Sequence, residues 1–319
     1  MLRPLYRDLN TALRNRFGCR VQKISLDAGL TCPNRNGRIG FGGCIYCNRL
    51  GSGTGASQDY SITAQLELGK TVLRQRYKAR KFIAYFQSFT NTYGSLEKLR
   101  SLYEEALSVP DIVGLAIGTR PDCVDEPILD LLAELNERSY VTIEYGLQSI
   151  HDRSLKLINR GHDSEAFLSA VTRTRTRGLE VCVHVILGLP GESKEDMLET
   201  ARALGRIDIQ AVKIHLLYVI ENTQLHRLYQ EGAYHCLSRD AYVDIVCDFV
   251  SLLPPHVIIH RLTGDPHPKE LIAPRWALKK QANLQAIRDR FRERNTWQGK
   301  TFEERDRLAN GSAGTRPLG

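Results

Sequence analysis

The stretch CPNRNGRIGFGGCIYC, residues 32–47, puts Cys32, Cys44 and Cys47 in one loop, with Tyr46 inside the closing Cys-Ile-Tyr-Cys. Structural zinc sites and ordinary electron-transfer clusters take four protein ligands, so three thiols leave a coordination position for a small molecule. Gly37, Gly40, Gly42 and Gly43 let the backbone approach a bulky cofactor and adopt positive φ. An apolar run at 23–28 precedes the loop, which therefore leaves the C-terminal end of a predicted strand. A zinc ribbon lacking its fourth ligand is the competing reading, and the rest of the chain argues against it.

Outward from the loop, strand and helix patterns alternate. Apolar, β-branched runs occur at 23–28, 81–87, 112–119, 140–149, 180–190 and 211–219. Helical patterns fall at 62–77, 96–108, 127–136, 165–177 and 194–204, the last led by a capping-box pair, Ser193 and Asp196. Six βα units with parallel connections predict an α/β fold, an incomplete (β/α)6 barrel with functional loops at the strand C-termini. Residues 1–20 read as a helical lead-in, 21–220 as the barrel, 221–309 as a C-terminal α/β extension and 310–319 as a disordered tail.

The cysteine loop is similar to the signature of the radical S-adenosylmethionine (SAM) superfamily, which ends in Cys-x-aromatic-Cys and whose cysteines hold a [4Fe–4S] cluster. Eleven residues separate Cys32 from Cys44. That long gap resembles the subgroup of the Elongator catalytic subunit, and within it the short bacterial radical SAM proteins that lack an acetyltransferase domain. The resemblance covers about residues 20–220. It implies a cluster on Cys32, Cys44 and Cys47, cleavage of SAM to a 5′-deoxyadenosyl radical, and an electron donor such as flavodoxin or ferredoxin.

Other strand ends fit the same resemblance. Glu144-Tyr-Gly-Leu-Gln148-Ser149 resembles the element whose glutamine reaches the SAM ribose, and Arg160 in Asn-Arg-Gly-His stands where relatives meet the SAM carboxylate. Gly188-Leu-Pro-Gly191 resembles the turn on the adenine side, where Tyr46 would present its ring, and His184 is a further cofactor contact. Gln87 and Ser88 replace the usual Gly-Gly-Glu-like segment. Gly118 stands before Thr-Arg-Pro-Asp in place of glutamate, which leaves the acidic contact to Glu144. Cys123, just past the third strand, is a candidate quencher of the product radical.

Composition sets the remaining bounds. No apolar run reaches membrane-spanning length, and the arginine-interrupted start is unlike a signal peptide, so the expectation is a cytoplasmic protein without membrane or DNA partners. Gly69-Lys70-Thr71 is not a phosphate loop, because Ala64 replaces its first glycine. From Arg275 to Gly319, eleven Lys/Arg face five Asp/Glu, within a chain of net charge +8. A basic helix at 276–294 makes Lys279, Lys280, Arg288 and Arg292 candidate phosphate contacts, with tRNA wobble uridine as the substrate implied by the Elongator resemblance. The alternatives are a small metabolite or porphyrin-like acid as radical SAM substrate, and a non-enzymatic zinc-dependent RNA-binding module.

Overall fold

The computed structural model describes residues 3–49, 51 and 59–303; the expected tail at 310–319 lies outside them, as does most of the glycine-rich run 51–55. Helix α1 (Leu9–Phe17) leads into β1 (Val21–Leu26), then α2 (Ile62–Tyr77), β2 (Lys81–Phe86), α3 (Leu96–Ser108), β3 (Ile112–Thr119), α4 (Glu126–Arg138) and β4 (Tyr140–Gln148). The chain continues through α5 (Asp152–Leu157), α6 (Ser164–Arg175), β5 (Glu180–Leu187), α7 (Lys194–Leu204), β6 (Ala211–Leu216) and β7 (Val219–Ile220). It closes with α8 (Gln224–Gln230), α9 (Arg239–Ser251), β8 (Ile258–Arg261), β9 (Leu271–Ala273) and α10 (Lys280–Glu293).

Helix starts follow from local chemistry. Ser61, Ser95, Asp125 and Asp163 each accept a hydrogen bond from a first-turn amide, and Ser193 with Asp196 forms the expected reciprocal capping box. The sheet holds seven parallel strands in the order β1-β2-β3-β4-β5-β6-β8. The seventh comes from the C-terminal part of the chain, where the sequence predicts only an extension. The run at 211–219 is broken: β6 stops at Leu216, and β7 pairs antiparallel with β9 in a separate ribbon.

Strand periodicity separates the two faces of the sheet. Phe82, Ala84 and Phe86, Leu115 and Ile117, Val141 and Ile143, and Val181, Val183 and Val185 pack in one core with helix residues such as Leu99, Leu132 and Phe167. The alternate positions carry Lys23, Tyr85, Glu144, His184 and Lys213, which line a cavity. The sheet is curled, because Lys23 of β1 reaches both Glu144 of β4 and His260 of β8. The N-terminal segment joins the last strand: the Ile259 amide donates to the Arg7 carbonyl, and Asp8 bridges to Ile259. Helix α10 is shorter than the predicted 276–294, since Arg275–Leu278 form a 3₁₀ turn, and its Ile287 and Phe291 are fully buried. No helix of the described residues is long and apolar enough to cross a membrane.

Candidate active site

The loop after β1 is fastened to the turn that follows α5. The Asn34 side chain donates to the Asn159 carbonyl at 2.6 Å, the Asn159 side chain donates to the Gly43 carbonyl at 2.8 Å, and the Ile45 amide donates to Ile158 O at 3.1 Å. Arg35 braces the loop from within by donating to the carbonyls of Asn48 and Arg49. Gly43 sits at φ 80°, and a Cβ there would meet the Arg35 side chain at 2.9 Å. The glycine is thus needed for both its dihedral and its close approach.

Cys32, Cys44 and Cys47 line one cavity of about 470 Å3 together with Tyr46, Gln87, Gly146, Gln148 and Arg160. All three cysteines are free thiols. Cys44 is held well below the usual thiol range, first by its hydrogen bond with Cys47 and then by Arg160 and Arg120, against its burial. Cys47 is pushed up by the same bond and by burial.

Arg160 is 7% exposed, and its Nη1 lies 3.6 Å from the Cys44 sulfur. Its Nη2 and Nε donate to the Gly146 carbonyl at 2.6 and 3.2 Å. Among the described residues three of its five N–H groups are thereby engaged, leaving one on each Nη as a fork that suits a carboxylate. Arg120, which the sequence reading quoted without a role, supports this arrangement: it donates to the Arg160 carbonyl at 2.7 Å while forking onto Asp122.

Strand β4 is bulged between Gly146 and Gln148, and Gln148 adopts φ 78°. Bulges re-aim side chains at strand ends, and a left-handed glutamine is strained enough to indicate a function. A Cβ on Gly146 would fall 2.6 Å from Arg160 Nη2 and 2.7 Å from Gln148 Nε2. That glycine admits both side chains to the cavity.

The remaining predicted residues are placed differently from one another. Gln87 lines the cavity and accepts from Ser25 at 2.8 Å, whereas Ser88 is buried and is not among the lining residues. Glu144 lies four residues before Gln148, about 13 Å down the strand. Its carboxylate is taken by Lys23, by Lys213 at 3.1 Å and by His184 at 2.6 Å. These partners hold Glu144 well below the usual carboxylate range despite complete burial. Cys123 opens onto a second cavity with Arg38, Ile39 and Tyr93, and burial and Asp122 push its thiol up to about 12.

On the basic helix, Lys280 pairs with Asp265 and Arg292 with Asp289, while the Arg288 guanidinium lies near the Tyr6 hydroxyl. Lys279 is exposed at the helix start. Sequence reading missed Lys23, Lys213, His260 and Arg261. Their signal was a charged or imidazole side chain inside otherwise apolar parallel strands, VQKISL, AVKIHL and IIHR, where such a residue must face the lumen.

Comparison with known proteins agrees with this geometry. Residues 32–204 match the Radical SAM superfamily, and residues 209–293 match the Radical_SAM C-terminal domain. The chain is 43% identical to the uncharacterized protein YtqA of Bacillus subtilis over 93% of each chain. It is 31% identical to the tRNA uridine(34) acetyltransferase of Dehalococcoides mccartyi, covering 54% of this chain and 37% of that one. The archaeal Elp3 of Methanocaldococcus infernus has the same fold, with TM-score 0.65 at 18% identity over 87% of this chain and 64% of that one. The chain belongs to the radical SAM superfamily and resembles its Elongator-like members. It is a radical SAM enzyme, of a family that works with a [4Fe–4S] cluster and SAM.

Proposed function

We propose that this enzyme modifies the C5 substituent of the wobble uridine of tRNA, with Cys32, Cys44 and Cys47 as cluster ligands. The observation that carries the chemistry is the convergence of three free thiols, Arg160 and Gln148 on one cavity. The residues fit the family's cofactors, for the donor set is all thiol and the Gly146 cradle admits an arginine fork. Held by Cys32, Cys44 and Cys47 with Arg160 and Gln148, the cluster and SAM would supply radical hydrogen abstraction from the substrate.

The chain's own residues bind and orient. Arg160 receives the SAM carboxylate, Gln148 the ribose hydroxyls and Tyr46 the adenine, with Gln87 as a further polar contact. His184 acts from the lumen side through Glu144, and an electron donor such as flavodoxin or ferredoxin supplies the electron. Kinship with a tRNA uridine(34) acetyltransferase supports the substrate, and the basic C-terminal helix supports an RNA partner. The surface ion pairs of that helix do not oppose this, since exposed pairs contribute only about 0–1 kcal/mol and phosphate can displace them. A small acidic metabolite is the second reading, favoured by the cations in the lumen.

The test is to incubate reduced, cluster-loaded protein with SAM and tRNA and to digest the product for nucleoside mass analysis. A mass change confined to the wobble uridine is expected. Unchanged nucleosides, in vitro and in tRNA from a deletion strain, would overturn the tRNA reading and favour the small acid.

A further inference from the structure

Beneath the cysteine loop, the lumen holds a polar set that Gln148 and Arg160 do not touch. Lys23, Lys213 and Arg261 face a single buried carboxylate, Glu144; the other acid lining the cavity, Asp265, is paired with Lys280. Several donors there lack a partner among the described residues. Lys213 is 8% exposed and makes two hydrogen bonds, to Tyr85 at 2.8 Å and to Glu144, leaving its third N–H unused. Arg261 donates its Nε to the Thr263 carbonyl and forms no ion pair among the described residues. His215 Nε2 is buried without any partner, and its ring lies 5.4 Å from that of His184.

Buried donors left unpaired are costly, and an excess of cations around one buried carboxylate is relieved by an anion. A metal ion is the other candidate, since Glu144, Cys182 and His184 lie close enough together to hold one. The ammonium groups of Lys23 and Lys213 already occupy that carboxylate, so a cation would enter against two like charges.

We propose that the lumen holds the substrate by an anionic group, a carboxylate or a phosphate, received by Lys213, His215 and Arg261. Glu144 positions Lys213 and offsets one of the three cationic charges. Burial together with Arg261, His184 and Lys213 holds His215 well below the usual imidazole range, so a neutral ring is available to donate one hydrogen bond. The inference rests on the radical SAM reading for the cofactors at the strand ends, and it is independent of the tRNA reading. A nucleotide phosphate and a small carboxylic acid satisfy the same groups.

The test is calorimetric titration of cluster-loaded protein, in the presence of SAM, with inorganic phosphate and separately with acetate. Saturable binding of at least one anion is expected; tighter phosphate points to a phosphorylated substrate and tighter acetate to a carboxylic acid. Arg261→Gln and His215→Gln should each weaken that binding on the order of tenfold, while the exposed Lys156→Gln should not. Iron content and SAM affinity, measured on the same samples, establish that each variant is folded. Absence of iron or SAM binding in the wild type would overturn the radical SAM reading. With both retained, the anion proposal is overturned by lack of saturable anion binding, by equal affinity in wild type, Arg261→Gln and His215→Gln, or by an equal loss in Lys156→Gln.

Discussion

The Arg160 guanidinium links the Cys44 sulfur, 3.6 Å from Nη1, to the carbonyl of the β4 bulge at Gly146. It therefore couples the cysteine loop to the strand end that presents Gln148. Arg160→Ala should weaken SAM binding by roughly tenfold or more, the effect of losing a charged hydrogen-bonded contact, and Gln148→Ala by roughly two- to tenfold, the effect of losing a neutral one. The readout is SAM titration of the EPR signal of the reduced cluster, with iron content unchanged. Arg160→Lys should not restore affinity, because an ammonium cannot fork.

Gly146→Ala tests the cradle. Its Cβ would meet Arg160 and Gln148 side chains at 2.6 and 2.7 Å, and both can swing aside, so the protein should fold while SAM affinity falls. Wild-type affinity in this variant, measured by the same titration, would show that neither side chain needs its observed position.

Acid should destabilise the protein through its lumen histidines. Burial and the neighbouring lysines lower His184 to about 4 and His260 to about 3. The unfolded chain protonates these rings near pH 6.5, so between the two values it binds more protons than the folded protein. Stability is then full above about pH 6.5 and is lost as pH falls, toward about 4 for His184 and about 3 for His260. Anaerobic urea unfolding should show the midpoint dropping across this window, and His260→Asn should flatten the drop.

Binding to tRNA should weaken steeply with salt, since each phosphate contact releases counterions and contributes roughly 0.7–0.9 to the log–log slope. Changing Lys279, Lys280, Arg288 and Arg292 together to glutamine should flatten that slope and lower affinity. An unchanged slope in a filter-binding series would remove this helix from the interface.

The predicted helices at 62–77, 96–108 and 194–204 match the observed ones, because each begins at a serine cap and carries an apolar stripe. The cysteine loop after β1 and Gln148 at the end of β4 were also legible, since a turn after a parallel strand can only open on the barrel mouth, whereas Arg160 reaches that mouth from the turn after α5. Strand β8 was not: four residues, IIHR, are too short a period to stand out, and their pairing with β6 is a long-range event. The depth of Glu144 was hidden for a related reason. Spacing along β4 puts it on the same face as Gln148, but only the curl of the sheet brings Lys23, Lys213 and His184 onto its carboxylate.

The central claim is an open three-thiolate site that serves SAM. Anaerobically reconstituted protein, reduced and given SAM, should contain about four irons and release 5′-deoxyadenosine and methionine. Alanine at Cys32, Cys44 or Cys47 should abolish that release, whereas Cys236→Ala should retain it. Stoichiometric zinc without iron, or full 5′-deoxyadenosine release by the Cys44→Ala protein, would contradict the account.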